Sequence, residues 1–180
     1  AGFLSDSQGT SISAGLSSQF SRKIGASMQG GYSWLFFDSG ADTSAFVGSV
    51  SANYHPGERF TIEAGYRKRL EQSSFTNYYE ERTVNLDATA RIARKVDAGV
   101  RSKYSFVDFS GPSLLVDNER RKDKLFQTDV TLDYRFKEWI RPRLQYTFSV
   151  RDSNASNPLF NSQSADFSRH RISLGVEVYY

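Results

Sequence analysis

The fold is decided by the stretch FQTDVTLDYRFKEWIRPRLQYTFSV, residues 126–150. From Phe126 to Phe136 the even positions are apolar or threonine, and the odd positions are mostly polar. After a short link at 137–139 the same alternation resumes and continues to Val150. A period of two residues indicates a β-strand with one apolar and one polar face. The stretch therefore predicts two antiparallel strands joined by a tight turn.

The same alternation occurs along most of the chain. Helical spacing fits worse, because sampling at i, i+3 and i+4 mixes the two phases. The alternating segments span residues 12–20, 24–36, 46–54, 60–66, 84–92, 96–106, 126–136, 140–150 and 172–180. The pattern predicts an all-β fold in which nine or ten antiparallel strands follow one another as a meander within these 180 residues.

The links between these segments alternate in length. Short links lie at 21–23, 55–59, 93–95 and 137–139, and long links lie at 37–45, 71–82, 108–123 and 151–169. Short turns at one end and long polar loops at the other are typical of transmembrane β-barrels of the outer membrane. A soluble barrel or sandwich is the alternative, but it would not place the long links so consistently at one end.

Composition limits the function classes. The 180 residues are enough for one domain, and their mean hydropathy of -0.53 reflects strands in which only alternate residues are apolar. Because there is no cysteine, disulfides, thiolate catalysis and zinc–thiolate sites are excluded. The net charge of +3 is small and both signs are interspersed, which argues against a nucleic-acid partner.

Aromatic residues cluster at the two ends of the apolar phase. Those near the short links are Phe20, Tyr54, Phe60, Phe136 and Tyr180, and those toward the long links are Trp34, Phe36, Phe46, Tyr66, Tyr104, Phe106, Phe126 and Phe148. Mostly aliphatic residues lie between them. Two aromatic bands around an aliphatic belt predict a face in contact with lipid.

The polar phase is then predicted to line a lumen of mixed charge. Its charged members are Glu63, Arg67, Arg69, Asp87, Arg91, Asp97, Arg101, Lys103, Asp129, Asp133, Arg141, Arg143 and Glu177. Pairing neighbouring segments places Arg91 opposite Asp97, Asp87 opposite Arg101 and Asp133 opposite Arg143. Such cross-strand ion pairs stabilise a sheet by roughly 0.2–1 kcal/mol each, so these charges either hold the wall together or select a solute.

The C-terminal residues SLGVEVYY, 173–180, resemble the terminal β-signal of Gram-negative outer-membrane proteins. In that pattern a polar residue stands two before a glycine, and hydrophobic residues stand three and five after it. Ser173, Gly175, Val178 and Tyr180 occupy these positions. The resemblance implies that the barrel assembly machinery reads this strand during insertion, and that the protein lies among outer-membrane lipid and lipopolysaccharide.

The whole chain also resembles the class of β-barrel porins that is often linked to exopolysaccharide gene clusters. Residues 139–180, with RPRLQY at 141–146 and a Ser/Asn-rich link before the terminal strand, are similar to the barrels of surface-protein translocators. Both resemblances imply a multi-pass β-barrel in the bacterial outer membrane. Neither transfers a functional residue to this chain.

The odd number of segments suggests that the barrel contains at least one further strand. If the C-terminus is periplasmic, the first segment descends, and barrels with an even strand number need a rising strand before Thr10. Residues 1–9 are then the end of a preceding strand or an extracellular loop. We therefore expect 1–180 to be one region of a larger barrel, with a complete small barrel as the alternative.

Three functions are compatible with this sequence. The first is a pore or channel wall for passage of solutes or polymer, and the second is a scaffold that holds a surface, periplasmic or electron-carrying partner protein. Further strands or such a partner would complete or fill the barrel. An enzyme ranks third, because no catalytic spacing occurs and His55 and His170 are far apart. We predict no catalytic residue, metal site or cofactor.

Overall fold

A computed structural model of the protein describes residues 7–38, 42–73, 78–112, 120–157, 163–164 and 166–178. All regular structure in these residues is β, so the predicted all-β class is confirmed. Within the same residues, no helix is long and apolar enough to cross a membrane. The strands are β1 (Ser7–Gln19), β2 (Ile24–Phe37), β3 (Thr43–Gly57), β4 (Phe60–Gln72), β5 (Tyr78–Ala93), β6 (Val96–Pro112), β7 (Arg120–Tyr134), β8 (Ile140–Ser153), β9 (Ser156–Asn157), β10 (Gln163–Ser164) and β11 (Phe167–Val178).

Nine of these strands form one antiparallel meander. Its order is β1-β2-β3-β4-β5-β6-β7-β8-β11, so the nine predicted segments pair in the order in which they follow one another along the chain. The short strands β9 and β10 form a separate two-stranded hairpin within the link between β8 and β11. Among the described residues no pairing joins β1 to β11, so the sheet is not closed.

The short links are tight turns with local hydrogen bonds. The hydroxyl of Ser21 accepts hydrogen bonds from the backbone N–H groups of Lys23 and Ile24, both at 3.1 Å. Serine is suited to this position because its short side chain can accept bonds from the turn's own backbone. At the next two short links the ladder closes at Gly57–Phe60 and Ala93–Val96, with a register shift beside each.

The strands continue past the predicted ends on the side of the long links. For example, β4 runs to Gln72, whereas the alternation predicted that it would end near 66. Likewise, β7 begins at Arg120, whereas the predicted start was near 126. Beyond the aromatic residues polar side chains occur in both phases, so the alternation fades although backbone pairing continues. Residues 7–9, which the sequence placed before the first strand, likewise belong to β1; residues 1–6 lie outside the described part of the chain.

Buried side chains of the described residues concentrate at the end of the sheet with the long links. Pairing between β3 and β4 stops at Gly48 and Lys68, and beyond that point no ladder joins the described residues of the β2–β3 and β4–β5 hairpins. A buried cluster then joins the polar-phase face of β2–β3 to the apolar-phase face of β4–β5. We call this the hairpin clamp; it consists of Leu35, Ala45 and Leu70 with Phe37, Val47 and Tyr78 packed against them.

Candidate functional site: the polar face of the sheet

The residues predicted to line a lumen all lie on one face of the sheet. Register shows this directly, since Glu63 pairs with Asp87, Asp87 with Arg101, and Arg101 with Asp129. Side chains of directly paired residues in a sheet point to the same side. The remaining predicted residues are Arg67, Arg69, Arg91, Asp97, Lys103, Asp133, Arg141, Arg143 and Glu177, and their partners place them on this same face.

Two ion-pair networks stabilise this face near the short turns. Asp97 accepts hydrogen bonds from Arg91 at 3.3 Å and from Arg135 at 2.6 Å. Arg143 lies between two carboxylates, 2.6 Å from Asp133 and 2.9 Å from Glu177. Guanidinium groups suit this bridging because they present several donors in a fixed fork. The predicted pairs of Arg91 with Asp97 and Asp133 with Arg143 are confirmed.

The middle of the face combines one ion pair with one carboxylate held by neutral groups. Arg101 donates to Asp87, as predicted, at 2.5 Å. Asp129 instead accepts hydrogen bonds from Gln127 at 2.8 Å, Gln145 at 3.2 Å and Thr147. Asp129 therefore has its hydrogen-bonding capacity met largely by uncharged donors.

The sequence analysis missed a charged cluster near the long links. Arg121 and Asp123 are 8% and 3% exposed and form two hydrogen bonds, at 3.0 and 2.7 Å. The hydroxyl of Ser153 also donates to Asp123, and the Arg121 guanidinium lies 4.8 Å from the ring centre of Phe109. The signal was present, because these residues continue the odd phase of their strands. It was hidden because Lys122 and Lys124 make the even phase polar as well.

Strands β1–β3 give the polar face a different character. None of these three strands contains Asp, Glu, Lys or Arg. Their face is joined instead by neutral bonds, such as the Ser27 and Ser51 hydroxyls at 2.9 Å and Gln29 Nε2 donating to Ser13 Oγ at 2.8 Å. We call this region the neutral sector, and we call the face of β4–β8 and β11 the charged sector.

The opposite face of the sheet is apolar and exposed. Leu174 and Ile172, for example, are 83% and 72% exposed, and the exposed apolar residues run across the whole sheet as a contiguous surface of the kind that contacts a membrane or a partner. On this face, aromatic side chains cluster toward the two ends of the strands, as illustrated by Phe20 at a short turn and Phe46 toward a long link. This is the arrangement that a bilayer solvates, with rings at the interfaces and aliphatic groups between.

Part of the predicted assembly signal lies on β11. Ser173 pairs with Gln145 and Gly175 with Arg143, so both belong to the polar phase, and Val178 ends the strand. The fourth predicted residue, Tyr180, lies outside the described residues. The role of these residues in assembly stays a prediction.

An antiparallel meander with one exposed apolar face, aromatic residues toward both ends of its strands and a polar opposite face defines the class of outer-membrane β-barrel proteins. The family described as "Putative beta-barrel porin 2" matches residues 1–180, so the chain belongs to that family. Its localisation in the bacterial outer membrane, predicted from the sequence, is confirmed.

Two solved structures share this fold. They are OmpT of Vibrio cholerae folded in vitro, described as an outer membrane protein, and OmpT of the same organism expressed in the outer membrane. Their TM-scores are 0.62 and 0.56, each with 13% identity. Each match covers 96% of this chain but only 56% and 57% of those chains, so this chain spans little more than half their length. No curated protein matches the sequence.

Proposed function

We propose that this chain forms part of the wall of an aqueous pore through which solutes or polymer cross the outer membrane. The observation that carries the proposal is the charged sector, where solvent-accessible ion pairs run across neighbouring strands. Arg101, for example, has a side chain that is 72% exposed while it pairs with Asp87. Charges of this kind favour water beside them, because transfer of a charge to an apolar environment is costly. No enzymatic activity is part of this proposal.

The two faces also suggest the protein's surroundings. We propose that the apolar face contacts outer-membrane lipid and lipopolysaccharide, and that β11 is recognised by the barrel assembly machinery through Ser173, Gly175, Val178 and Tyr180. Backbone groups at an open sheet edge are unsatisfied in lipid, at a cost of several kcal/mol each. Further strands or a partner protein would therefore lie against the open edges of the sheet.

Conductance of the full-length protein in planar bilayers tests the pore. Because residues 1–180 contain no cysteine, a single cysteine placed among them gives a chemical test of which face is wet. Thr89→Cys lies on the polar face and Ala88→Cys on the apolar face of the same strand. We expect a water-soluble cationic thiol reagent to modify Thr89→Cys and reduce the conductance, and to leave Ala88→Cys unmodified. A protein without conductance, or equal reaction at the two positions, would contradict the proposal.

The neutral sector supports a second candidate, a scaffold that holds a partner protein inside the barrel. Uncharged Ser, Gly and Gln side chains lose less hydration than ion pairs when another chain covers them. A partner there would protect Ser51→Cys from the same reagent in the protein purified from membranes, while Thr89→Cys would still react. Silent bilayers together with that protection would favour the scaffold over the pore.

A further inference from the structure

We infer that Lys103, Arg169 and Arg171 form a binding site for a soluble oxyanion, the phosphate or carboxylate group of a solute, on the charged sector. The inference rests on the proposed function in one respect, which is that this face borders an aqueous lumen. It adds the chemical class of the ligand and the residues that would bind it. None of the three residues belongs to the ion-pair networks described above.

Register brings these three residues together from distant parts of the chain. One row across the sheet runs from Lys103 through Gln127 and Ser149 to Arg169. The next row runs from Arg101 through Asp129 and Thr147 to Arg171. All three cations line one cleft of about 310 Å³, and we call it the basic cleft; its other polar members include Gln127, Asp129, Gln145, Thr147 and Ser149.

The charge in the basic cleft is not balanced. Within the described residues, no carboxylate lies within 4.0 Å of the charged nitrogens of Lys103, Arg169 or Arg171. The carboxylate in the cleft, Asp129, receives hydrogen bonds from neutral donors and does not neutralise these cations. Elsewhere on the charged sector, guanidinium groups such as Arg101 and Arg143 pair closely with carboxylates. Three cations beside one carboxylate therefore leave a net positive cleft.

The groups around these cations suit an oxyanion. Lysine and arginine donate charge-assisted hydrogen bonds to phosphate and carboxylate oxygens, and arginine can do so with two parallel bonds. Phe167 lies beside the cleft, with the guanidinium carbons of Arg151 and Arg169 at 5.1 and 5.3 Å from its ring centre. Such stacking limits the rotamers of Arg169, so that less conformational freedom is lost when an anion binds.

Reversal potentials of the full-length protein in a KCl gradient test the site. The site variant is Lys103→Gln with Arg169→Gln and Arg171→Gln. The control variant is Arg120→Gln with Lys122→Gln and Lys124→Gln, which removes the same charge from the opposite phase of β7. We expect the wild type and the control to favour chloride, and the site variant to lose roughly tenfold in chloride-to-potassium permeability ratio. Heat-modifiable mobility on gels reports that each variant is folded.

Phosphate binding gives a readout that does not depend on conductance. In a detergent free of phosphate, inorganic phosphate should show broadened 31P resonances with the wild type and the control, and sharp ones with the site variant. If bilayers are silent but this difference persists, the proposed pore is wrong and the binding site stands. If the site and control variants behave alike in both experiments, or if phosphate binds only when phospholipid is added, the inference is overturned.

Discussion

The neutral sector and the charged sector follow the same alternation of apolar and polar residues, yet they join their strands differently. In the charged sector, long side chains extend from the sheet and pair across strands, as Arg143 does with Asp133 and Glu177. In the neutral sector the contacts are short, and a β-carbon built at Gly31 would overlap the carbonyl oxygen of Ile12. In that part of the polar face the strands contact one another through their backbones and small side chains.

The comparison shows that the two phases of the alternation have separate roles, one in contacting lipid and one in joining the strands on the polar face. The apolar phase is similar in the two sectors, because both must present a surface that lipid accepts. The polar phase is free to differ, and here it gives one sector with no charge on its strands and one with many charges. Substitutions on the apolar face should therefore lower the free energy of unfolding by similar amounts in both sectors. Substitutions on the polar face should lower it by different amounts in the two sectors.

The largest effect is expected on the shared apolar face. Leu132→Arg should destabilise the protein by roughly 2–4 kcal/mol, the cost of an arginine facing lipid near the middle of the bilayer. Thr131→Arg, its matched control on the polar face, should cost far less. Urea unfolding from lipid vesicles, followed by tryptophan fluorescence, measures both. Met28→Arg and Gln29→Arg repeat the test in the neutral sector, and a large cost at both members of either pair would refute the assignment of faces.

An intermediate effect is expected from glycine in the neutral sector. A β-carbon at Gly31 would also lie 2.7 Å from the Ser13 β-carbon, so Gly31→Ala should destabilise by about 1–3 kcal/mol, as overpacking does. At Gly57 nothing lies within 4 Å of the added carbon, so Gly57→Ala should be tolerated. The same unfolding assay compares them. Equal stabilities would mean that the neutral sector is not closely packed.

The smallest effect is expected from single polar contacts, and salt should distinguish the sectors. Arg143→Gln should cost up to about 1 kcal/mol, because its side chain is 39% exposed and its ion pairs are screened by solvent. That cost should shrink when the salt concentration rises. Ser27→Ala, which removes the hydrogen bond to Ser51, should cost a similar amount that does not depend on salt. A salt-dependent Ser27→Ala effect would contradict the division into sectors.

The sequence predicted the membrane-spanning part of this fold well, because the lipid environment enforces a strict alternation there. Strand order, the shared face of the predicted residues and the pairs Arg91–Asp97, Asp87–Arg101 and Asp133–Arg143 follow from that alternation and from short turns. These pairs lie on adjacent strands with tight links, so their register is fixed locally.

The basic cleft could not be predicted in the same way. Arg169 lies in a segment that was predicted as a long link, because the alternating apolar residues begin only at Ile172. Lys103 and Arg169 share a row only through three strand pairings, and two of the three connections between those strands are long links that do not fix the register locally. Around Arg169, as around Arg121 and Asp123, polar residues occupy both phases and leave no periodic signal.

The hairpin clamp has a mechanical consequence. A β-sheet pulled from one end in a force microscope yields pair by pair, since each hairpin is bonded to its neighbour by one ladder. Above Gly48 and Lys68 that ladder is absent, and the clamp ties the two hairpins through Leu35 and Leu70 instead. A force applied at the link near residue 40 should therefore act on β4 and β5 as well as on β2 and β3. We expect residues 24 to 93 to leave the membrane together, in the first unfolding step of the force curve.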